Sequence, residues 1–429
     1  MRRDGYKIHL QRNQTARLLR NRDFGLYFVG SFMATLATQI QAVAVAWQIY
    51  EITRSPLALG YVGLAQFLPV AALFFVAGDV ADRYNRRRIL TISYAVQALA
   101  TALLLALTLV SAQSPWPFYA VLMLLGSARA FSQPAGQSFL PQLVSGERFQ
   151  QAVAWTSSAR QTAVVVGPAL GGIIYIWGPA AAYAVCLAFF VATSIALGAL
   201  RTDSTPRPPD PGVSTVRRVT AGIRFIRSRP ILLGAISLDL FAVLLGGATA
   251  LLPIYARDIL RVGPSGLGLL RSAPAFGAAL TGMLLGRFSL RRRAGFVMFG
   301  CVAIFGVATI VFGLSTDFTT SIVTLAMLGA ADMVSVYVRS SLVQLGTPDA
   351  MRGRVSAVNS LFIGASNQLG GFESGVTADW FGTVPSVVIG GVGTLVVVVL
   401  WMTFFPGLRQ LDRLSDLDVE RARVSDSVS

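Results

Sequence analysis

Gly78-Asp79-Val80-Ala81-Asp82-Arg83-Tyr84-Asn85-Arg86-Arg87-Arg88 is a dense polar knot between two long apolar runs, residues 56–77 and 89–110. Each run is long enough to cross a bilayer, which takes about 20 residues at about 1.5 Å rise each. So short a connection between two spans predicts a tight turn at one membrane surface. Its three consecutive arginines assign that surface to the cytoplasm, because short cytoplasmic loops concentrate Lys and Arg.

The whole chain agrees. Its 429 residues are 54% hydrophobic and 13% charged, with a mean hydropathy of +0.62, whereas soluble domains carry about 25% charged residues. Charge this sparse cannot cover a water-exposed surface, so the chain reads as a polytopic membrane protein. Apolar runs recur at 24–50, 56–77, 89–110, 117–139, 149–176, 179–200, 231–256, 266–286, 294–316, 319–344, 354–381 and 385–405. They predict an all-α integral membrane protein of twelve transmembrane helices, since hydrocarbon offers no partner to an open backbone. With the N-terminus inside, the connections on that side hold 29 Lys and Arg, and those on the other side hold 3: Arg54, Arg257 and Arg261. This bias places both termini in the cytoplasm of a multi-pass inner (plasma) membrane protein. It also accounts for the net charge of +16 without nucleic acid as a partner.

Other chemistry is thinly represented. Cys186 and Cys301 both lie in apolar runs, and the single histidine, His9, sits in the basic N-terminal segment. No disulfide framework, metal site, cofactor or His-based catalysis is expected, and the chain is not expected to be an enzyme. Residues 1–23 have no apolar core of the kind a signal peptide needs.

The long connection after Arg201 begins Pro-rich and then reads as a basic amphipathic helix over Val213–Arg229, suited to the inner leaflet and its anionic headgroups. It separates six spans from six. The expected organisation is a cytoplasmic N-terminal segment (1–23), a six-helix half (24–200), a linker (201–230), a second six-helix half (231–405) and a cytoplasmic tail (406–429). The halves resemble each other. At a shift of 205, Gly63-Leu64 meets Gly268-Leu269, Pro69 meets Pro274, and Arg86-Arg87-Arg88 meets Arg291-Arg292-Arg293. One duplicated unit explains this, and parallel repeats of this kind build two pseudo-symmetric six-helix halves.

Three motifs carry a family resemblance. Gly78, Asp82, Arg83, Asn85, Arg86 and Arg87 resemble the G-x-x-x-D-R-x-G-R-R signature of major facilitator transporters, with Asn85 in place of a glycine. Asn tolerates the left-handed backbone that a tight turn can require. Ala163, Gly167, Pro168, Gly171 and Gly172 resemble the G-x-x-x-G-P-x-x-G-G motif of the drug:proton antiporter branch, with alanine for the first glycine. Leu125 and Arg129 match part of a third, L-x-x-x-R. The stretch Thr347–Val355 and the ending Gly407–Asp412 are similar to the efflux branch that includes enterobactin exporters and macrolide efflux proteins. The resemblance implies the major facilitator fold, with a substrate site between its halves.

Each motif admits two roles. Asp82 among arginines suits a gating latch through ion pairs and helix capping, or the arginines are only a topological signal. Gly167, Pro168, Gly171 and Gly172 suit a hinge or a close packing seam. The second half has Arg287 and Phe288 at the positions of Asp82 and Arg83, so a full latch is expected only in the first.

Charge inside the membrane is the sharpest signal. Arg129, Arg160, Asp239, Asp332 and Glu373 fall within spans, where a charge costs about 2.5–3.5 kcal/mol and by default faces a cavity or a partner. Spans three, six, nine and twelve carry none, as fits the outer helices of the resembled fold. Arg129 and Asp332 occupy nearly equivalent repeat positions and are expected to face each other across a cavity. Burial raises a carboxyl pKa and a nearby arginine lowers it. Asp239, Asp332 and Glu373 are therefore either proton carriers or halves of static ion pairs. Arg271 and Arg339, near span ends, are expected to snorkel. Gln39, Gln41 and Gln48 either contact substrate or pack.

No nucleotide-binding G-x-x-x-x-G-K-[ST] loop is present, so coupling to an ion gradient is expected. The expectation is a monomeric secondary transporter embedded in the bilayer. It would export a small-molecule substrate (a siderophore, drug or metabolite) by proton antiport with alternating access. An uptake symporter and a non-transporting receptor on the same fold are the alternatives.

Overall fold

The computed structural model describes residues 21–144, 146–202, 215–288 and 292–412. Most of the expected N-terminal segment and tail, and the Pro-rich stretch after Arg201, lie outside them. Every regular element among the described residues is helical. Twelve helices are of spanning length: α1 (Arg22–Thr53), α2 (Pro56–Arg83), α3 (Arg86–Leu109), α4 (Trp116–Leu143), α5 (Phe149–Ile174), α6 (Pro179–Gly198), α7 (Pro230–Leu245, continued by shorter turns), α8 (Gly263–Arg287), α9 (Ala294–Leu314), α10 (Phe318–Leu345), α11 (Asp349–Phe381) and α12 (Thr383–Phe404). Ten are apolar enough to cross a membrane by composition. The other two, α4 and α11, are 28 and 33 residues long; their apolar content is diluted by Ser, Gln and charges such as Arg129 and Glu373.

Three local expectations are corrected. The stretch 78–88 is not all turn: α2 runs on to Arg83, leaving Tyr84 and Asn85 as the connection. In this last turn Asp79 and Arg83, four residues apart, pair at 2.9 Å, which supports the helix by about 0.2–0.5 kcal/mol. Arg86 then closes the end, its Nε donating to Ala81 O at 3.3 Å. Asn85 is not left-handed either; its φ is −59°. It is the N-cap of α3, its Oδ1 accepting the Arg88 N–H at 3.2 Å. The seventh run, read as one span over 231–256, is broken after Leu245 at Gly246-Gly247. It resumes as short turns over 248–259 that end in a π-type turn, Tyr255–Ile259. Glycines hold helix poorly, and these two are also closely packed. A methyl built on Gly247 would lie 2.4 Å from Gly370 O, and one on Gly390 2.2 Å from Leu245 O.

By packing, the described residues form two compact units, one from 21–45 and 68–202, the other from 46–67 and 215–412. In the first, buried polar groups tie helices together. Gln41 donates to Thr101 Oγ1 at 2.9 Å, Thr193 to Gly30 O at 3.0 Å, and Ser194 to Thr91 O at 3.0 Å. Gln41, at 2% exposure, is thus a packing residue. In the second, Thr394 donates to Ala242 O at 3.2 Å and Trp401 Nε1 to Ser237 Oγ at 2.9 Å. The chain after α12 returns to cap α9: Arg293 N–H donates to Asp412 Oδ1 at 3.0 Å and Gly295 N–H to Leu411 O at 3.1 Å. That gives the Gly407–Asp412 ending a physical role, since first-turn amides have no partner within their own helix. Asp317 caps α10 through the Thr320 N–H at 2.7 Å, a bond that holds its carboxyl below the usual range.

The linker helix is Thr215–Arg227. Val219 and Ile226 on its apolar side are buried. A methyl on Gly222 would lie 2.8 Å from Arg354 O of α11, so protein covers this face.

Between α8 and α10 the backbones nearly touch, because Gly329 stands against Pro274 O, where a methyl would sit at 2.0 Å. Gly329→Ala is therefore expected to cost about 1–3 kcal/mol, read as a lower midpoint of thermal unfolding in detergent. Gly364→Ala, which meets open space, should leave the midpoint unchanged or raise it.

Candidate functional site

α7 contributes Asp239, and α10 contributes Asp332, Ser335 and Arg339. The spacing of three and seven residues places those three on one helix face. Arg339 forms a salt bridge with Asp239, and the two side chains are only 3% and 7% exposed. This corrects the expectation that Arg339 snorkels. Its guanidinium is held inside by a carboxylate, and two charges removed from water stay charged only when so paired. Arg339 Nε remains buried without a hydrogen-bond partner.

Asp332 lines two voids. One is a crevice of about 10 Å³ shared with Asp239, Phe305 and Ser335, about the room one water needs. The other is a cavity of about 250 Å³ that also reaches Asn367 and the broken end of α7 at Gly246, Gly247 and Thr249. The structure therefore brings together Asp239, Arg339 and Asp332, with Asp332 lining both the crevice beside the ion pair and the larger cavity. Glu373 lines neither void. It is half-buried on α11 and accepts from Ser374 Oγ at 3.5 Å. Arg129, half-buried on α4, and Arg160, exposed on α5, belong to the first unit.

A second cluster escaped sequence reasoning. At the ends of α1 and of the α7 continuation, Arg257 faces Glu51 at 3.6 Å and Arg54 faces Asp258 at 3.7 Å. Tyr50 donates its hydroxyl proton to Asp258, and the Arg257 guanidinium lies 5.8 Å from the Trp47 ring centroid. Beside it, a methyl on Gly375 of α11 would lie 2.8 Å from Gly60 Cα of α2. All of this lies within the second unit. The one sequence signal was that two of the three basic residues on the arginine-poor side, Arg54 and Arg257, meet here.

In the first unit, the two motifs each have a local geometry. Asp82 is half-buried, and in the same segment Asp79 pairs with Arg83. Arg86 Nη1 donates to Ser138 O of α4 at 3.1 Å, and Arg87 to Gly198 O of α6. α5 passes through Pro168 as one helix. A methyl on Gly167 would lie 2.6 Å from Gln39 Cβ, and one on Gly171 3.0 Å from Ile40 Cα. These glycines bring α5 against α1, and Gly172 is buried with them.

Comparison with known proteins gives the family and the fold. The profile of a family described as transmembrane secretion effectors matches residues 15–427. The enterobactin exporter EntS of Citrobacter koseri is 27% identical over 395 residues, covering 90% of this chain and 92% of that one, and EntS of Escherichia coli O157:H7 matches to the same extent. Among solved structures, a bacterial homologue of the human lysosomal transporter Spinster, inward-facing and unoccupied, superposes with a TM-score of 0.69 at 14% identity over 93% of this chain and 98% of that one. The nucleoside transporter NupG gives 0.67 at 13% over 89% and 99%. At these identities the solved structures speak for the fold alone.

The Asp239–Arg339 pair makes a thermodynamic prediction. Arg339→Leu alone should cost about 3–5 kcal/mol by leaving Asp239 buried and uncompensated. Asp239→Leu/Arg339→Leu should recover most of that loss. Equal destabilisation of the single and double variants in detergent unfolding would show the pair is not coupled.

Proposed function

Since the chain belongs to the transmembrane secretion effector family of major facilitator transporters, we propose that it exports a small amphipathic organic molecule by proton antiport with alternating access. The observation that carries this reading is the position of Asp332, which borders both the one-water crevice beside Asp239–Arg339 and the larger cavity. The ion pair is electrically neutral and buried. Asp332 stands next to space that water and substrate can enter, so it is the carboxyl to which a proton can be delivered and from which it can be removed. Gain or loss of that proton changes the charge beside the pair by one unit, and at low dielectric such a change is felt strongly. Ser335, on the same face, is placed to hydrogen-bond either form.

The cluster at Glu51, Arg54, Arg257 and Asp258 acts in this proposal as the outer closure. Its ionic side chains are 24–55% exposed, and ion pairs so exposed contribute only about 0–1 kcal/mol each. Weak contacts suit a gate, because a state change that moves Asp332's proton can outweigh them. On the arginine-rich side, Gly78, Asp82, Arg83, Arg86 and Arg87 form the opposing latch, and both termini face the cytoplasm. The substrate class proposed is a siderophore-like secreted metabolite, because the relatives with 27% identity over nine-tenths of the chain are enterobactin exporters.

Secretion of enterobactin from a bacterial strain lacking its own exporter tests the proposal. Expression of this chain should restore secretion, a protonophore should abolish it, and Asp332→Asn should abolish it with the protein still present in the membrane. Restored secretion that persists after the gradient collapses would overturn proton coupling. Asp82→Asn should impair transport while insertion and orientation stay normal; unimpaired transport by that variant would remove the latch.

A further inference from the structure

Under the N-terminus of α3 lies a cavity of about 430 Å³ lined by Asn85, Arg87, Arg88, Ile92, Arg201 and Thr202, among others. It is separate from the transport site. Three guanidinium groups and a helix N-terminus converge there, and each of these favours a bound anion. Asp23, the carboxylate that touches this segment, is engaged with the backbone, accepting the N–H groups of Arg201 at 3.1 Å and Thr202 at 2.8 Å.

α3 is capped locally by Asn85, and the internal repeat closes the corresponding end with a distant segment of the chain. Arg86-Arg87-Arg88 corresponds to Arg291-Arg292-Arg293. The helix that follows the second triplet, α9, receives the carboxylate and carbonyl of Asp412 and the carbonyl of Leu411 on its first amides. The first half has no such segment on the Asn85-capped end among the described residues and carries the cavity beside it.

The wall above the cavity is apolar and open. Ile92, Leu99 and Leu103 of α3 are 63%, 57% and 41% exposed, and Val191 and Ile195 of α6 are 41% and 66% exposed. They form stripes at helical spacing on two helices locked together by Ser194–Thr91 and by stacked Tyr94 and Phe190 rings 6.5 Å apart. A basic pocket continuous with exposed apolar stripes on a spanning helix pair matches one ligand chemistry: a phosphate group on a diacyl tail.

We propose that Arg87, Arg88 and Arg201 form a site for the phosphate of an anionic phospholipid, whose acyl chains lie along the exposed α3 and α6 stripes. Arg88 and Arg201 supply most of the headgroup attraction, because Arg87 also donates to Gly198 O. At about 1 kcal/mol per arginine, the Arg88→Gln/Arg201→Gln variant loses affinity for phosphatidylglycerol roughly 30-fold.

Native mass spectrometry of the full chain in detergent, titrated with phosphatidylglycerol and with phosphatidylcholine, tests this. The expected result is tighter binding of phosphatidylglycerol, lost in Arg88→Gln/Arg201→Gln and kept in Arg224→Gln/Arg227→Gln, which removes the same charge from the linker helix. Equal loss in both double variants, or no preference between the lipids, would overturn the site. Glycerol 1-phosphate is the third arm. Failure to displace the lipid supports a site built for headgroup and tail, whereas displacement at low millimolar concentration would assign it to soluble phosphates instead.

Discussion

The second unit is organised around a salt bridge that hydrocarbon enforces. Once Arg339 and Asp239 are carried into the membrane, neither can be left alone, and the helices that bear them must stay in register. That requirement holds α7 against α10, sets Asp332 and Ser335 on the face that borders the pair, and leaves a crevice of about one water. The break of α7 at Gly246-Gly247 follows within two turns, where close approach to Gly370 and Gly390 excludes any side chain. Discontinuous helices are where secondary transporters build their sites, and the larger cavity opens at this break.

The charged cluster of each unit is built with different physics. The cluster at Glu51, Arg54, Arg257 and Asp258 uses half-exposed ion pairs and a tyrosine hydroxyl on a carboxylate, contacts that water can replace at little cost. The arginine-rich end uses guanidinium groups on backbone carbonyls. Arg86 reaches Ala81 and Ser138, and Arg87 reaches Gly198, which ties the α2–α3 connection to α4 and α6. A buried carbonyl without a donor is costly, so these arginines serve as structural ties in addition to any role in orientation.

Much of this was legible in the residues. The twelve spans follow from hydropathy, and the family follows from Gly78–Arg87 and Gly167–Gly172. The intramembrane charges pointed to Asp239 and Asp332 because a lone charge in a span demands a reason. Other features depend on pairing, which a single sequence does not display. Arg339 lies six residues from the end of its helix, and only the contact with Asp239 separates a buried ion from a snorkelling one. Asn85 was read through the glycine it replaces, while its side chain does the work of an N-cap. The Glu51–Arg257 and Arg54–Asp258 cluster joins residues about 200 positions apart by ordinary side chains with no motif, so nothing local marks them.

The central claim is that the protonation state of Asp332 governs the outer closure at Glu51, Arg54, Arg257 and Asp258. Spin labels at Ser55→Cys and Leu260→Cys, in a background with Cys301 replaced, would report the distance between the two sides of that closure by pulsed dipolar spectroscopy. The distance distribution should shift with pH in the otherwise native protein and become independent of pH in Asp332→Asn. An Asp332→Asn protein whose distribution still follows pH as the native one does would contradict the account.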